Sequence, residues 1–375
     1  MKTCGIIAEF NPFHNGHALL FEHARTVLGA DYIVVIMSGE HVQRGEPAVC
    51  DKYVRTMAAL KAGADLVLEL PVFSALANAS LFAKGAVAGL LNTGITDVLL
   101  FGSESGDIEE LNKRAHEDSS FIKTYSGRPS PNDSLATEYL RALKHFNAGI
   151  SAVTLKREGA GYNDTEPDKD NASATCIRKL IKASSEEAYA YMPSFSKELL
   201  DAYLSASRLM DISAYSEKLG YALNMNDRDE LLSFAGIYPD LADKIRKNLN
   251  SYNDFAGFIE ILKSKDLTYT YISRALLHIL LDIREESLDM FSDDYSFCPY
   301  LRILGIKKEA GELLHSFGSN SSVPVISRMG DAKNMLDPKA YTLLQHEIRA
   351  ADIYHMTSAR SLPFTSEYSR FLIRM

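Results

Sequence analysis

Short apolar runs alternate with amphipathic segments along residues 1–181. The apolar runs lie at residues 3–10, 31–39, 65–71, 96–104 and 150–158. Strands that are apolar on both faces are typical of a parallel sheet covered by helices on both sides. Between them, the spacing of apolar residues predicts helices at 17–29, 51–63, 80–92, 132–146 and 173–183. The pattern therefore predicts an α/β fold with a doubly wound parallel sheet over residues 1–181.

The periodicity changes twice further along the chain. Residues 182–296 show helical spacing almost throughout, and residues 297–375 contain two short strand-like runs at 300–306 and 323–329. The predicted organisation is therefore a nucleotide-binding type of α/β domain at 1–181, a helical region at 182–296 and a small C-terminal segment at 297–375.

Charge follows the same divisions. The whole chain carries 40 basic and 49 acidic residues, a net charge of −9, so any surface for nucleic acid must be local. The C-terminal segment is the basic part, with 10 basic and 7 acidic residues. Four cysteines stand far apart and no run is long enough to span a membrane, which predicts a protein of the cytoplasm without disulfides.

The sequence NPFHNGH, residues 11–17, stands where the first strand ends and the first helix begins. Pro12 ends the strand, and Gly16 lets the backbone approach a ligand. His14 and His17 are three residues apart and share one helix face, beside the free N–H groups of the helix start. This arrangement predicts a phosphate site. Two alternatives stay open: ordinary structural histidines, or a zinc pair with His23 as the nearest further ligand.

A second polar cluster, DNASATCIRKLI, begins the helix predicted at 173–183. Ser173 and Thr175 are hydroxyl donors at the helix start, and Arg178 follows one turn later, where it could reach phosphates. The alternative is a capped amphipathic helix that carries a surface arginine.

Two further loops follow strands of the predicted sheet. Gly102, followed by Ser103, Glu104 and Ser105, ends a buried strand and could admit a nucleoside to the backbone; an ordinary strand-to-helix turn is the alternative. Asn163 and Asn132 are polar loop residues that could contact the base or ribose, although Asn132 could equally cap a helix.

The loop after the second strand offers cationic and amide groups. Gln43, Arg44, Lys52 and Arg55 lie where an acceptor substrate would cross the nucleotide, and a small carboxylate would suit them. The alternative is a solvated loop and helix face, which is the better interpretation for Lys52 and Arg55 taken singly. The sequence lacks a Walker-type glycine loop, which excludes a P-loop mechanism.

These motifs resemble those of known proteins. NPFHNGH is similar to the HxGH signature of the nucleotidyltransferase superfamily, whose domain is HUP-like, and ASATCIRK resembles its ISSTxIR-type motif. The order of the blocks resembles the bacterial tRNA(Met) cytidine acetate ligase family over residues 4 to about 326. The blocks are CGIIAEFNPFHNGH, MSGEHVQRGEPA, GADLVLELP, FGSES, ASATCIRK, PYLRILGIKKEAGELL and VPVIS. Glu40 and His41 depart from the family pattern, which has Asn and Phe there.

The resemblance implies a two-step reaction and assigns roles to residues. Acetate would attack the α-phosphate of ATP to give acetyl-adenylate and pyrophosphate, and the acetyl group would pass to N4 of the wobble cytidine of elongator tRNA(Met). His14, His17 and Arg178 would be catalytic, Mg²⁺ would accompany ATP, and Gln43 and Arg44 would be acetate candidates. The residues implied to bind ATP are Ile7, Ala8, Glu9, Phe10, Asn11, Pro12, Phe13, Asn15, Gly16, Gly102, Asn163, Ser173 and Thr175.

The resemblance also implies a tRNA surface, which we expect on the basic C-terminal segment. The candidates for this surface are Arg302, Lys307, Lys308, Arg349 and Arg360, with Tyr300, Tyr354 and Tyr368 available to stack on bases. No dedicated metal site, membrane contact or stable protein partner is implied. The alternatives are a small-molecule adenylyltransferase and a noncatalytic, nucleotide-dependent RNA-binding protein.

Overall fold

An eight-stranded sheet forms the centre of the computed structural model, which describes residues 1–117, 130–157, 172–361 and 363–375. The order of the sheet is β10-β8-β5-β2-β1-β6-β7, with β9 beside β8, while β3 and β4 form a separate hairpin. The strands are β1 Thr3–Ala8, β2 Tyr32–Ser38, β3 His41–Val42, β4 Glu46–Pro47, β5 Leu66–Leu70, β6 Val98–Ser103, β7 Ser151–Lys156, β8 Leu301–Ile306, β9 Val325–Ile326 and β10 Ile373–Arg374.

The five strands predicted from residues 1–181 are all present and run parallel to one another. Ile6 of β1 is paired with Val35 of β2 on one side and Leu100 of β6 on the other. β2 and β5 are buried almost throughout, because helices cover both faces of the sheet. The carboxyl ends of β1, β2, β5, β6 and β7 therefore meet at one edge, where a doubly wound sheet binds its ligands.

The C-terminal segment does not stand apart from this sheet. β8 pairs antiparallel with β5, so that Leu66 lies opposite Ile306 and Glu69 opposite Arg302. β10 then pairs with β8. The predicted boundary at 297 is consequently not a boundary of the sheet, since residues from both sides of it share one layer.

Seven helices belong to the described residues before 183, and they wrap the parallel strands. Asp51 and Asn78 cap two of them by accepting the backbone N–H groups of Val54 and Leu81. The helices are α1 Asn15–Thr26, α2 Lys52–Ala62, α3 Val72–Ala75, α4 Ala79–Asn92, α5 Ile108–His116, α6 Pro131–His145 and α7 Ala174–Lys182.

The rest of the chain is mostly helical, as the spacing in 182–296 predicts. Its buried side chains join the core of the sheet: Leu276 and Phe258 belong to the same apolar cluster as Leu68 and Ile36. The helices are α8 Ser194–Ala206, α9 Ser216–Met225, α10 Arg228–Leu231, α11 Pro239–Asn248, α12 Phe255–Leu262, α13 Tyr269–Leu280, α14 Glu285–Asp289, α15 Gly311–Asn320, α16 Ala332–Met335 and α17 Pro338–Ser358. Among the described helices, none combines the length and apolar character needed to cross a membrane.

Candidate active site

The two histidines of the opening motif are brought into contact where β1 passes into α1. His14 occupies the N-cap position and His17 the first turn, and their rings stack with centroids 3.7 Å apart. The backbone N–H of His14 donates to Nδ1 of His17 over 3.2 Å. Because Nδ1 accepts this bond, the proton of a neutral His17 lies on Nε2.

Aromatic side chains hold the second ring in place. Phe10 meets the His17 ring edge-on at 4.9 Å, and Phe13 lies 5.5 Å from it at a tilt. Both phenylalanines are buried and pack against Phe21 of the same helix. The orientation of His17 is therefore fixed by packing before any ligand arrives.

Both imidazoles are neutral at pH 7. Burial lowers the pKa of His14 to about 3, and the guanidinium groups of Arg157 and Arg178 lower it in the same direction. Burial also lowers the pKa of His17 well below its usual range, with His14 and Arg157 as further causes. A neutral imidazole can donate one hydrogen bond without holding an anion as firmly as a charged one would.

Arg178 reaches the same place from α7. Its guanidinium donates to the backbone carbonyl of Asn11 over 3.0 Å and to Oγ1 of Thr175 over 3.3 Å. Ser173 is the N-cap of this helix and accepts the N–H of Cys176. The two motifs, about 160 residues apart in sequence, thus meet at one edge of the sheet.

The sequence analysis missed a second arginine, Arg157, at the end of β7. Its aliphatic stem lies against Gly102, where a Cβ would come within 3.3 Å of Cγ. Lys156 and Arg157 both line the cavity beside the histidines. The signal was present in the run ISAVTLKRE, because two cations at the carboxyl end of a parallel strand point to an anion.

A cavity of about 550 Å³ joins these elements. The implied ATP-binding residues that line it are Ile7, Ala8, Glu9, Phe10, Asn11, Asn15, Gly16, Gly102 and Thr175. Pro12, Phe13 and Ser173 do not line it, since they are buried behind its wall, where they shape the turn and cap α7. Asn163 lies outside the described residues.

The β3–β4 hairpin closes one side of the cavity with Gln43 and Arg44, the acetate candidates. The N–H of Gln43 donates to Oε1 of Glu9 over 2.8 Å, and Arg44 reaches Oγ1 of Thr175 at 3.5 Å. From the other side, Arg274 of α13 donates to the carbonyl of Gln43 over 3.1 Å. The hairpin is therefore tied to the sheet and to the helical region together.

Asn132 lines the cavity, as a nucleoside contact would, but it is not the N-cap of a helix. Its amide donates to Oε1 of Glu104 over 2.7 Å, and Ser130 rather than Asn132 is the N-cap of α6. Glu104 also accepts the N–H of Asp133, whose carboxylate accepts the N–H groups of Glu104 and Ser105. This reciprocal bonding fixes the turn after β6.

Lys52 and Arg55 are neither acceptor contacts nor solvated side chains. Lys52 is fully buried, with Nζ 2.6 Å from Oε1 of Glu69, and Arg55 donates to the carbonyls of Glu9 and Ser38 at 2.8 and 2.9 Å. Both predicted roles are wrong, because α2 turns these cations inward to satisfy carboxylates and strand-end carbonyls.

Three of the predicted tRNA contacts are buried, and those predictions are wrong. Arg302 lies on β8 with Nη1 2.8 Å from Oε2 of Glu69 and its other nitrogen against Glu367. Tyr300 and Tyr354 are buried, and the Tyr354 hydroxyl donates to the carbonyl of Ala48 over 2.8 Å. Tyr368 is about half exposed.

Lys307 and Lys308 lie at the opposite edge of the sheet from the cavity. β8 is antiparallel to β5, so its end meets the beginning of β5, where the N–H of Lys307 donates to the carbonyl of Asp65. One strand length, roughly 15–20 Å, separates this edge from the strand ends that form the cavity. Lys307 and Lys308 thus lie away from the cavity, and their contact with tRNA stays a prediction.

Arg349 and Arg360 remain exposed candidates. Arg349 donates to Nδ1 of His346 one turn earlier in α17. Arg360 donates to the carbonyls of Leu204 and Ser207 at the end of α8, over 2.8 and 3.0 Å.

Glu40 and His41, which depart from the family pattern, are buried outside the cavity. The backbone N–H of Lys52 donates to Glu40, and Nε2 of His41 lies 3.0 Å from the Tyr215 hydroxyl. Glu40, His355 and Glu367 form the one group in the described ranges whose spacing would suit a metal ion. Lys52 and Arg55, at 3.1 Å from Glu367 and 3.7 Å from Glu40, already supply positive charge there, so the group does not fit a metal.

Comparison with known proteins identifies the family of the chain. Residues 1–127 and 121–367 match the family described as HIGH Nucleotidyl Transferase. A tRNA(Met) cytidine acetate ligase of Acetivibrio thermocellus is 33% identical, with 95% of each chain covered, and one of Listeria monocytogenes is 34% identical, with 94% of each covered. The chain belongs to the tRNA(Met) cytidine acetate ligase family.

Two solved structures of one related protein share the fold of this chain over its whole length. The apo crystal structure of Thermotoga maritima TmcAL has a TM-score of 0.93 at 28% identity, and each chain is fully covered. A second structure of that protein, bound with alpha-thio ATP, has a TM-score of 0.89 at 27% identity, with 100% of this chain and 99% of that chain covered.

Proposed function

We propose that this protein uses ATP to activate acetate as acetyl-adenylate and then transfers the acetyl group to N4 of the wobble cytidine of elongator tRNA(Met). The observation that carries the proposal is the stacked, neutral pair His14 and His17, which shares one cavity with Arg157 and Arg178. Membership of the ligase family, and the ATP analogue bound to a structural relative, support the nucleotide and the acceptor.

In the first step, acetate attacks the α-phosphate and pyrophosphate leaves. The Nε2 proton of His17, fixed by the bond that Nδ1 accepts, is available to a phosphate oxygen, and His14 lies beside it at the positive end of α1. Arg178, held by Asn11 and Thr175, would neutralise the leaving pyrophosphate. Acetate is ionised at neutral pH and needs no base.

Mg²⁺ is proposed to enter with the nucleotide rather than to occupy a site made by the protein. The cavity lining is rich in cations. Of its three described carboxylates, Glu9 accepts the N–H of Gln43, Glu46 lies 3.9 Å from Arg178, and Glu22 is exposed on α1. A cavity lined in this way would leave the phosphate oxygens as the main ligands of Mg²⁺. The ion would offset the negative charge of the phosphates.

The acceptor RNA is proposed to approach at the edge of the sheet that holds the cavity. A wobble cytidine must leave the anticodon stack to reach an adenylate. Arg349 and Arg360 stay as candidate contacts with the RNA backbone, and Gln43 and Arg44 as candidate contacts with acetate. We place this reaction in the cytoplasm, where tRNA is modified, and propose no stable protein partner.

The test follows two products in one incubation. Purified protein is mixed with ATP, Mg²⁺ and acetate, with and without bulk bacterial tRNA, and pyrophosphate and N4-acetylcytidine are measured. We expect acetylated cytidine only when ATP, acetate and tRNA are all present, and a loss of about 100-fold or more in His17→Ala.

His116→Ala is the control, because His116 is exposed on α5 and outside the cavity. Pyrophosphate release without acetylation of any cytidine would point to a small-molecule adenylyltransferase. Neither product, with nucleotide-dependent RNA binding, would point to a noncatalytic protein.

A further inference from the structure

One carboxylate lies where the chemistry of ATP binding does not call for it. Glu9 follows β1 directly and lines the cavity that also holds His14, His17 and Arg178. A carboxylate beside a triphosphate repels it, and this cost would have to be offset by some other benefit. The adenylation step offers none, because acetate needs no base and is itself an anion.

The position of Glu9 is fixed on one side and open on the other. Oε1 accepts the N–H of Gln43 over 2.8 Å, and the backbone carbonyl of Glu9 accepts Nη1 of Arg55 over 2.8 Å. Within the described part of the chain, no hydrogen-bond donor reaches Oε2. The second oxygen is thus presented on a rigid strand end, in the way a catalytic group must be held.

The charges around Glu9 set its protonation. Burial raises its pKa above the usual value, while the N–H of Gln43 and the guanidinium groups of Arg178, Arg44 and Arg55 lower it by less. A carboxylate whose pKa is raised is a stronger base than an exposed one.

The other two carboxylates of the described cavity lining are less suited. Glu46 lies at the hairpin with Oε2 3.9 Å from Arg178, so its charge is partly offset by the phosphate-binding arginine. Glu22 is exposed on the outer part of α1, one and a half turns beyond His17. Among the three carboxylates, Glu9 is the one held at the carboxyl end of a central strand.

We propose that Glu9 is the general base of the second step, which accepts a proton from the N4 amine of the acceptor cytidine. This inference rests on the proposed function. A carboxylate is also the side chain that pairs with N4 of cytosine in nucleic-acid recognition, so the same group orients the amine.

The proposed step balances as follows. The N4 nitrogen forms a bond to the carbonyl carbon of acetyl-adenylate, and the bond from that carbon to the phosphate oxygen breaks. AMP leaves with the electron pair of that bond. One N4 proton passes to Oε2 of Glu9 and then to water. The lone pair of N4 is delocalised into the ring, so attack without removal of the proton would be slow.

The experiment separates the two steps in Glu9→Gln. The glutamine carbonyl can still accept the N–H of Gln43, so the hairpin keeps its anchor. Acetate-dependent exchange of pyrophosphate into ATP measures the first step, and single-turnover formation of N4-acetylcytidine measures the second, each from pH 5.5 to 8.5. We expect acetyl transfer to be slower by roughly 10²–10⁴-fold, a clearly larger loss than that of exchange.

The pH profile distinguishes a base from a positioning group. Wild-type transfer should rise with pH as Glu9 loses its proton, and this rise should be absent in Glu9→Gln. Glu46→Gln removes an equal charge from the same cavity and should change both steps by the same factor. Equal losses of exchange and transfer in Glu9→Gln, unchanged transfer, or a rise with pH that persists would each overturn the role.

Failure of the proposed function would look different. If the wild-type protein exchanges pyrophosphate but transfers no acetyl group to tRNA, then tRNA is not the acceptor. The proposed role of Glu9 is then ruled out as well. If the wild-type protein and the Glu9→Gln variant both show the two activities, only the proposed role of Glu9 is ruled out.

Discussion

Neutral imidazoles suit the role proposed for His14 and His17, which is to receive a triphosphate and then to release pyrophosphate. Two permanent cations would hold the product as firmly as the substrate, whereas burial and the charge of Arg157 lower the pKa of both His14 and His17 and favour their neutral forms. The short motif predicted their common face and their site. It did not predict the stacking or Arg157, because these depend on Phe10, Phe13 and a strand about 140 residues further along the chain.

At the residue scale, Gly16→Ala should separate activity from stability. A Cβ at Gly16 would lie 3.0 Å from Cε1 of His14 and 3.1 Å from its Nδ1, so the ring must move. We expect acetate-dependent pyrophosphate exchange to fall by roughly 10–100-fold. The melting temperature should stay level or rise slightly, since alanine favours a helix over glycine by up to about 1 kcal/mol.

Gly311→Ala is the matched control for this change. Gly311 begins α15, and a Cβ there has open space around it. Both variants gain the same helix preference, so only Gly16→Ala should lose exchange activity. Full activity in Gly16→Ala would show that the spacing of His14 is not critical.

At the scale of elements, the β3–β4 hairpin is held by parts of the chain that are remote in sequence. Ser273 of α13 donates to the carbonyl of Gly45 over 2.5 Å, Arg274 to that of Gln43, and Glu9 accepts from Gln43. The helical region therefore does more than cover the core, because α13 positions the loop that carries Arg44.

Ser273→Ala tests this link. Loss of a buried hydrogen bond that leaves the Gly45 carbonyl unpaired should cost about 1–3 kcal/mol of stability. Since the hairpin carries the acetate candidates, KM for acetate should rise more than KM for ATP in pyrophosphate exchange. Ser205→Ala is the control, because its hydroxyl bonds only within α8 and is exposed. Equal changes in both KM values would argue against a hairpin role in acetate binding.

The elements also show where prediction from sequence stops. Apolar runs separated by segments of helical spacing were sufficient to predict the strands β1, β2, β5, β6 and β7. The run at 300–306 was predicted as a strand, but its antiparallel place beside β5 was not. Strand pairing between residues more than 200 positions apart leaves no local pattern, and for the same reason Arg302 looked like a surface cation.

At the scale of the whole molecule, a buried network of ion pairs joins α2 and β5 to the C-terminal segment. Lys52 lies 2.6 Å from Glu69 and 3.1 Å from Glu367, and Arg302 contacts both carboxylates. Burial alone raises the pKa of Glu367, but the charges of Arg302 and Lys52 outweigh it and hold that pKa well below its usual range.

Glu367→Gln should therefore destabilise the protein strongly. Two buried cations would lose a partner, which costs roughly 3–5 kcal/mol at pH 7. A carboxyl group with a lowered pKa stabilises the fold above its unfolded value, near pH 4.5, and this contribution is lost as pH falls further. Glu367 also raises the pKa of His355, so the difference between wild type and variant in urea unfolding should grow as pH falls and His355 gains its proton. The difference should then narrow below pH 4.5.

The exposed Glu309 provides the control, since Glu309→Gln removes an equal charge from the surface. A stability loss in Glu367→Gln no larger than that of Glu309→Gln would mean that Lys52 and Arg302 are satisfied by Glu69 alone.

The pairing of β5 with β8 has a consequence for synthesis on the ribosome. At roughly 5–20 residues per second, β8 follows β5 out of the ribosome after on the order of 10–50 s. During that interval the outer edge of β5 has no neighbour, and Lys52 and Glu69 lack two of their partners. A nascent chain at this stage presents a bare strand edge, the kind of surface that chaperones cover.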